Sequence, residues 1–345
     1  MNIHEKYMSR CIQLAKKSLG STYPNPLVGC VIVHKNKIIG EGWHEKAGEA
    51  HAEVRAIASV KNHELLRDSQ IYVSLEPCSH YGKTPPCANL IIDKNIPEII
   101  IGAVDPFAEV SGNGIKKLFE AGRKVRVGVL EKECLDLNKR FNTFHQKKRP
   151  YIILKWAETP DGFIAPKTQD EIFWISNPYS KQMVHKWRSE EVAIMVGTNT
   201  ALKDNPQLNT RSWSGKSPIR IVIDKDLKLN EDLHLFDASV QTYVFHDIKL
   251  NTKDKKNLNY IAIDFNKNVL NQLMEKLYQL NIHSVIIEGG SQTLQSFIDQ
   301  NLWDEARIFT GQNKLNSGIK APKLDCTPIL TEKISTDILN IYRND

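Results

Sequence analysis

Three side chains suited to a borderline or soft metal ion lie in one stretch of this sequence. They are His51, Cys78 and Cys87, and a carboxylate, Glu53, stands two residues past the histidine. A zinc ion held by three protein ligands keeps a fourth position for water, the arrangement of a catalytic rather than a structural site. Zinc lowers the pKa of such a water to roughly 7, so hydroxide is available at neutral pH. Glu53 then has the chemistry of a proton carrier that does not bind the metal. A solitary His or Cys is more often core or surface than ligand. Here His51 opens a helix-like run, HAEVRAIASV, and Cys78 follows a strand-like run, IYVSLE, so both sit at element ends where a site can form.

The surrounding elements follow from periodicity. Residues 3–19 place Met8, Ile12, Ala15 and Leu19 on one helical face. The runs VGCVIV and KIIGEGW, joined by a Lys-Asn turn, predict a β-hairpin. Just before it, Pro24 and Pro26 restrict the backbone around Asn25, whose amide offers donors and an acceptor suited to reading a base edge. Further on, 70–75 and EIIIGAVD read as strands, CANLIIDKN and NGIKKLFEAG as helices, and VRVGVL as a last strand. Helices alternating with short apolar strands make an α/β layered domain, with the metal expected at a sheet edge.

The chain has 345 residues, enough for two domains, with 41% hydrophobic and 25% charged residues and a net charge of +6. That balance excludes disorder, suits phosphorylated substrates, and is too weak to argue for nucleic acid. No stretch has the apolar length of a membrane span. The charged start, MNIHEKYMSRC, lacks an apolar signal core, and a cytoplasmic protein is expected. Six cysteines do not make a disulfide framework in this length; Cys11, Cys30, Cys134 and Cys326 read as core or surface residues.

The helical, basic-ended segment EKECLDLNKRFNTFHQKKRP marks a boundary, giving domains over 1–147 and 148–345. In the second, YIILKWA, VAIMVGT, IRIVID, TYVFH, NYIAID and SVIIEGG read as strands. NPYSKQMVHKWRSE, VLNQLMEKLYQLN and TLQSFIDQN read as helices. The segment SVIIEGGSQTLQSFI runs from a buried strand through Gly289-Gly290 straight into a helix. Free N–H groups and the helix dipole there favour an anion such as a pyrophosphate. No G-x-G-x-x-G is present, so a Rossmann domain is not supported.

The order H-x-E then P-C is that of zinc nucleobase deaminases. More closely, TYPNPLVGCVIV, GWHEKAGEAHAE, LEPCSHYGKTPPCANLI and GAVDP resemble the deaminase half of the bifunctional riboflavin-biosynthesis deaminase/reductases. KWAETPDGFIA, FWIS, KWRSE, VGTNTALKDNPQLNTR and IEGG resemble the reductase half. Eight residues lie between Cys78 and Cys87, the long spacing of that family; other zinc deaminases use a short one. The resemblance implies a cytidine-deaminase-like α/β/α domain followed by a dihydrofolate-reductase-like α/β domain. It also implies zinc on His51, Cys78 and Cys87, with Glu53 as proton shuttle.

The implied reactions are deamination of 2,5-diamino-6-(5-phosphoribosylamino)pyrimidin-4-one and NADPH-dependent reduction of its ribosyl chain. The product is 5-amino-6-(5-phosphoribitylamino)uracil. Carried over by position, Ala157, Trp174, Thr200, Asp204 and the run Gly290, Ser291, Gln292, Thr293, Leu294, Gln295 and Ser296 line the NADPH site. Lys155, Arg188, Leu208, Arg211 and Glu288 fall at substrate positions, the two arginines facing the ribose phosphate. His80, Lys83 and Thr84 are further candidates for phosphate contact. The family's usual residues are replaced by Arg55, Pro160 and Ile172. A homo-oligomer paired through the reductase sheet is expected. Two other readings fit the bare motifs: a deaminase of another base fused to a nucleotide-binding domain, and a non-catalytic zinc and dinucleotide binder.

Overall fold

The computed structural model describes residues 2–79, 85–106, 112–167 and 173–344. His80, Lys83, Thr84 and Ile172 lie outside the described residues. The chain forms two compact units, Met1–Lys148 and Arg149–Asp345.

The first unit runs α1 (Ile3–Lys16), β1 (Gly29–His34), β2 (Lys37–Trp43), α2 (Ala52–Ala58), β3 (Gln70–Leu75), α3 (Cys87–Asp93) and β4 (Glu98–Ala103). Then come α4 (Asn113–Glu120), β5 (Lys124–Val127), α5 (Glu131–Leu137) and α6 (Lys139–Lys147). A capping box opens α1: Asn2 accepts from the Glu5 N–H, and the Glu5 carboxylate accepts from the Asn2 N–H. The helix stops at Lys16, short of the predicted residue 19, because the next residues close i→i+3 turns instead. The hairpin turn is made by Lys35 and Asn36, both with positive φ. The helix predicted across the boundary segment breaks at Asn138. Its buried amide accepts from the Leu27 N–H (2.8 Å) and donates to the Leu27 carbonyl (2.9 Å).

The sheet order is β2-β1-β3-β4-β5, antiparallel around β1 and parallel from β3 to β5. Period-two alternation divides its residues between two cores. Cys30, Ile32, Ile71, Val73, Ile99 and Ile101 pack against α2, α3 and α4. Val31, Val33, Tyr72 and Ile100 pack against α1 and α5. The result is a three-layer α/β/α sandwich.

The second unit runs β6 (Tyr151–Glu158), β7 (Phe163–Ala165), α7 (Pro178–Glu190), β8 (Ala193–Gly197), α8 (Thr198–Asp204), β9 (Ile219–Ile223), β10 (Thr242–Asp247) and β11 (Leu258–Ile263). It continues through α9 (Val269–Gln279), β12 (Ser284–Glu288), α10 (Ser291–Asp299), β13 (Glu305–Thr310), β14 (Ile319–Lys320), β15 (Leu330–Ile334) and β16 (Asp337–Arg343). Its nine-stranded sheet has the order β11-β10-β9-β8-β12-β6-β13-β16-β15. The strands from β11 to β13 are parallel; β16 and β15 are antiparallel additions. Parallel strands buried on both faces need two cores. On β6, Ile152, Leu154 and Trp156 enter one, and Tyr151 and Ile153 the other. Sequence periodicity does not reveal β13, β15 and β16. The first carries two buried charges, Glu305 and Arg307, and β15 is exposed over most of its length.

Candidate active sites

In the first unit the candidate ligands arrive from three element ends. His51 is the residue capping α2, Cys78 follows β3, and Cys87 is the first residue of α3. The cluster therefore sits past the end of the central strand β3, where two helix starts meet the strand-end edge of the sheet, as the sequence led one to expect. Glycines set the depth of α2. A Cβ on Gly42 would come within 2.4 Å of the Ala56 backbone nitrogen, and one on Gly40 within 2.5 Å of the Ala56 carbonyl. Only Gly-x-Gly in β2 lets α2 lie this close, and that closeness brings His51 to the cysteines.

The corner bearing Cys78 is held by a residue that sequence reasoning passed over. Glu76 is buried, and its carboxylate accepts from the backbone N–H groups of Asp105, Gly112, Gly114 and Ile115. It ties the Pro77-Cys78 corner to the start of α4. Its place at the end of an apolar strand is the only signal the sequence offered.

His51 Nδ1 lies 3.6 Å from Cys78 Sγ and 3.3 Å from Cys87 Sγ, and the three atoms are all within 4.8 Å of one another. Zinc bonds of 2.0–2.3 Å at tetrahedral angles separate neighbouring N and S ligands by roughly 3.5 Å, so this donor set fits that ion. Hydrogen bonds from the Cys87 thiol and then from His51 draw the Cys78 thiol down. The neighbouring Cys78 sulfur and burial push Cys87 up. A dication bound between them would stabilise the thiolate form of both sulfurs. Glu53 is buried beside them. Burial, then the Cys78 sulfur, raise its carboxyl to about 7 against the opposing pull of His51. A carboxyl near neutrality is matched to both taking and giving a proton.

Asn25 is brought to the same place. Its Nδ2 is 3.0 Å from Nε2 of His44, whose ring meets the His51 ring edge-on at 5.5 Å. His44 stood in the GWHEKAGEAHAE segment without an assigned role. Arg55 pairs with Glu45 (2.9 Å) and Glu49 (2.8 Å).

In the second unit a cleft of about 1210 Å³ opens at the ends of the parallel strands. Its walls include Lys155, Ala157, Glu288 and Trp174, then Thr200 and Asp204, then Gly290, Ser291, Gln292 and Thr293. Gly289 has φ +119°, and a Cβ there would stand 2.7 Å from Thr200 Oγ1. That hydroxyl accepts the Gly290 N–H at 2.9 Å. No side chain caps α10, so its first N–H groups are left for an anion. Trp174 is 59% exposed, and Lys181 Nζ lies 3.5 Å from the centre of its ring.

Some expected residues are not on this wall. Leu294 is fully buried among Ile287 and Phe297, because it faces the core side of α10. Gln295 bonds Asp299 and the Lys323 N–H, and Ser296 donates to the Thr293 carbonyl. The α-helical repeat turns these three from the cleft. Leu208 has positive φ, and its side chain packs with Val196 and Val222. Arg188 grips the Glu288 carboxylate through Nε (3.3 Å) and a terminal nitrogen (2.8 Å), and Arg211 bonds Asn209. Burial would raise the Glu288 carboxyl, but Arg188 and Lys155 hold it down at about 2. Burial lowers Lys155. Burial, then Arg188, lower Arg211. Pro160 lies in the turn between β6 and β7.

A preformed His/Cys/Cys site beside a buried carboxyl, in a sandwich of this order, defines a zinc-binding deaminase unit; residues 1–103 match the cytidine and deoxycytidylate deaminase zinc-binding region. Residues 150–311 match the RibD C-terminal domain. The chain belongs to the family of the riboflavin biosynthesis protein RibD. It is 38% identical to that protein from Aquifex aeolicus over 92% of this chain and 89% of the relative. It is 32% identical to the Escherichia coli protein over 91% and 89%. A crystal structure of a diaminohydroxyphosphoribosylaminopyrimidine deaminase/5-amino-6-(5-phosphoribosylamino)uracil reductase from Thermotoga maritima superposes with TM-score 0.90 at 34% identity. It covers 99% of this chain and 98% of its own. Acinetobacter baumannii RibD superposes with TM-score 0.88 at 30% identity, over 98% of each chain. Among the described residues, no helix is long and apolar enough to cross a membrane.

Proposed function

We propose that this chain performs two successive steps of riboflavin biosynthesis, one in each unit. The first removes ammonia from 2,5-diamino-6-(5-phosphoribosylamino)pyrimidin-4-one by hydrolysis. The second reduces the ribosyl chain of the product with NADPH, giving 5-amino-6-(5-phosphoribitylamino)uracil. The observation that carries the reading is the convergence of His51, Cys78 and Cys87 beside a buried Glu53.

His51, Cys78 and Cys87 would hold the metal. Zinc bound there supplies a Lewis acid that makes water nucleophilic at neutral pH. Glu53 would take up a proton from the attacking water and pass protons on, so that one water proton ends on the ring nitrogen and the other on the departing amine. One C–O bond forms, one C–N bond breaks, and the products are the carbonyl compound and ammonia. Asn25 meets an edge of the ring.

In the second unit, Thr200 fixes Gly290 so that the pyrophosphate of the dinucleotide can approach the start of α10. NADPH supplies the hydride. Trp174 offers its exposed face, and Ala157 leaves space at the cleft floor. Lys155, Arg188 and Arg211 form a cationic neighbourhood for the ribose phosphate, with Glu288 keeping Arg188 aimed. Two copies pair through the outer strands, where Ile329, Leu330 and Ile338 stand exposed.

The test is incubation of purified, zinc-loaded protein with the diaminopyrimidine phosphate, with and without NADPH, followed by mass measurement. Exchange of an amino for a hydroxyl group is expected without the cofactor, and gain of two hydrogens only with it. Faster turnover of free cytidine would overturn the substrate assignment. The Glu53→Gln variant should keep its zinc and lose ammonia release by about 10³-fold or more.

A further inference from the structure

We infer that His44 is a positioning residue. It fixes the amide of Asn25 with its carbonyl oxygen turned to the substrate, so that the ring edge read there must present a hydrogen-bond donor. The inference rests on the deaminase reading of the first unit.

Asn25 alone has no preferred sense. Its side-chain amide is nearly symmetric in shape, and rotation by half a turn exchanges donor for acceptor. The imidazole of His44 removes that freedom. The ring is buried, and its Nδ1 lies 3.2 Å from the carbonyl oxygen of Ala50. A carbonyl oxygen only accepts, so Nδ1 carries the proton. In the neutral ring Nε2 then presents a lone pair. The atom facing that lone pair at 3.0 Å is Asn25 Nδ2, which donates. The Asn25 oxygen is the remaining polar atom of the amide.

Both ends of this relay are held from outside. The Asn25 N–H donates to the Thr22 carbonyl at 2.7 Å, and prolines flank it on both sides. The loop carrying His44 and Ala50 is clipped to α2 by Arg55, whose two nitrogens reach Glu45 and Glu49. His44 also stacks its edge against the His51 ring, so the relay and the metal ligand set share one wall. An acceptor fixed at this point suits an N–H or amino group on a pyrimidine edge and disfavours a carbonyl or an unprotonated ring nitrogen.

The experiment uses the zinc-loaded full chain with the diaminopyrimidine phosphate. His44→Phe keeps the ring packing but leaves the amide unoriented. It is expected to raise KM about tenfold with kcat within about threefold, since one neutral hydrogen bond of uniform binding is lost. His44→Gln places an acceptor near the position of Nε2 and should restore most of that affinity. Nitrogen-15 NMR of histidine-labelled protein should show His44 protonated at Nδ1 and bare at Nε2. A proton on Nε2, or unchanged KM in His44→Phe, overturns the inference. Should His44→Phe fail to fold, the tautomer decides it alone. The wild-type chain and Glu53→Gln, measured in parallel, separate the two levels: no ammonia release from the wild type would sink the deaminase reading itself, whereas release lost in Glu53→Gln beside an unaffected His44→Phe would sink only the relay.

Discussion

The two units solve the problem of holding charge in different ways. In the first, the negative charge of two sulfurs is concentrated at one point fixed by three element ends, and a buried carboxyl at about 7 waits beside it. In the second, charge is already balanced within the protein. Arg188 pairs with Glu288, and Glu288 and Lys155 line an open cleft beside the glycines and hydroxyls at the start of α10. The first site has the donor set of a cation site, and the second is the open cleft along the strand ends where we propose that the dinucleotide lies. The first should therefore respond to loss of one ligand as a whole. The second should lose affinity in steps.

The sharpest break of that contrast is Cys87→Ser. Zinc content of the purified protein should fall at least about tenfold and ammonia release with it, while NADPH-dependent reduction of the deaminated intermediate stays unchanged. Loss of both activities would show that the units are not separable. Next in size is Glu288→Gln, which leaves Arg188 and Lys155 buried without their counter-charge. The expected cost is about 3–5 kcal/mol, read as a lower urea midpoint of the second unit. The same carboxylate sets a pH window. Its folded pKa of about 2 lies below the ordinary 4.5, so its stabilisation is full above that ordinary value and disappears as pH falls from 4.5 toward 2. The acid unfolding curve of Glu288→Gln should be flatter across that window.

A smaller effect is expected for Thr200→Val, which removes the acceptor of the Gly290 N–H. NADPH affinity measured by calorimetry should weaken about three- to tenfold, with deamination untouched. The smallest belongs to Arg55→Ala. Its ion pairs with Glu45 and Glu49 are partly exposed, and such pairs contribute about 1 kcal/mol or less. A thermal midpoint lowered by a few degrees, and by less in high salt, is the expected result. A change of zinc content in that variant would show that the loop does more than hold His44.

Much of this was legible in the chain because local rules and ligand chemistry agree. Short apolar runs gave β1, β3 and β4, and the Lys-Asn turn gave the hairpin. His51, Glu53, Cys78 and Cys87 stand out by type and spacing alone. Other parts were hidden for identifiable reasons. Strand β13 carries Glu305 and Arg307, which pair inside the fold, so its sequence does not read as a buried strand. Leu294 and Leu208 fall within motif-like runs, yet only helical phase and a positive φ decide that their side chains face the core.

By itself, the order of residues determined the identity of the donors, the separation into two α/β units, and the strand–Gly-Gly–helix turn. Those depend on residue type and short-range spacing, which a linear chain displays in full. The tertiary fold decided the partners. That Glu76 anchors the Cys78 corner, that Arg188 is spent on Glu288, and that His44 stands between Asn25 and Ala50 are contacts between separate segments. Burial and Coulomb attraction act through space, so the charge state of Glu53 and Glu288 was set only when distant segments closed around them.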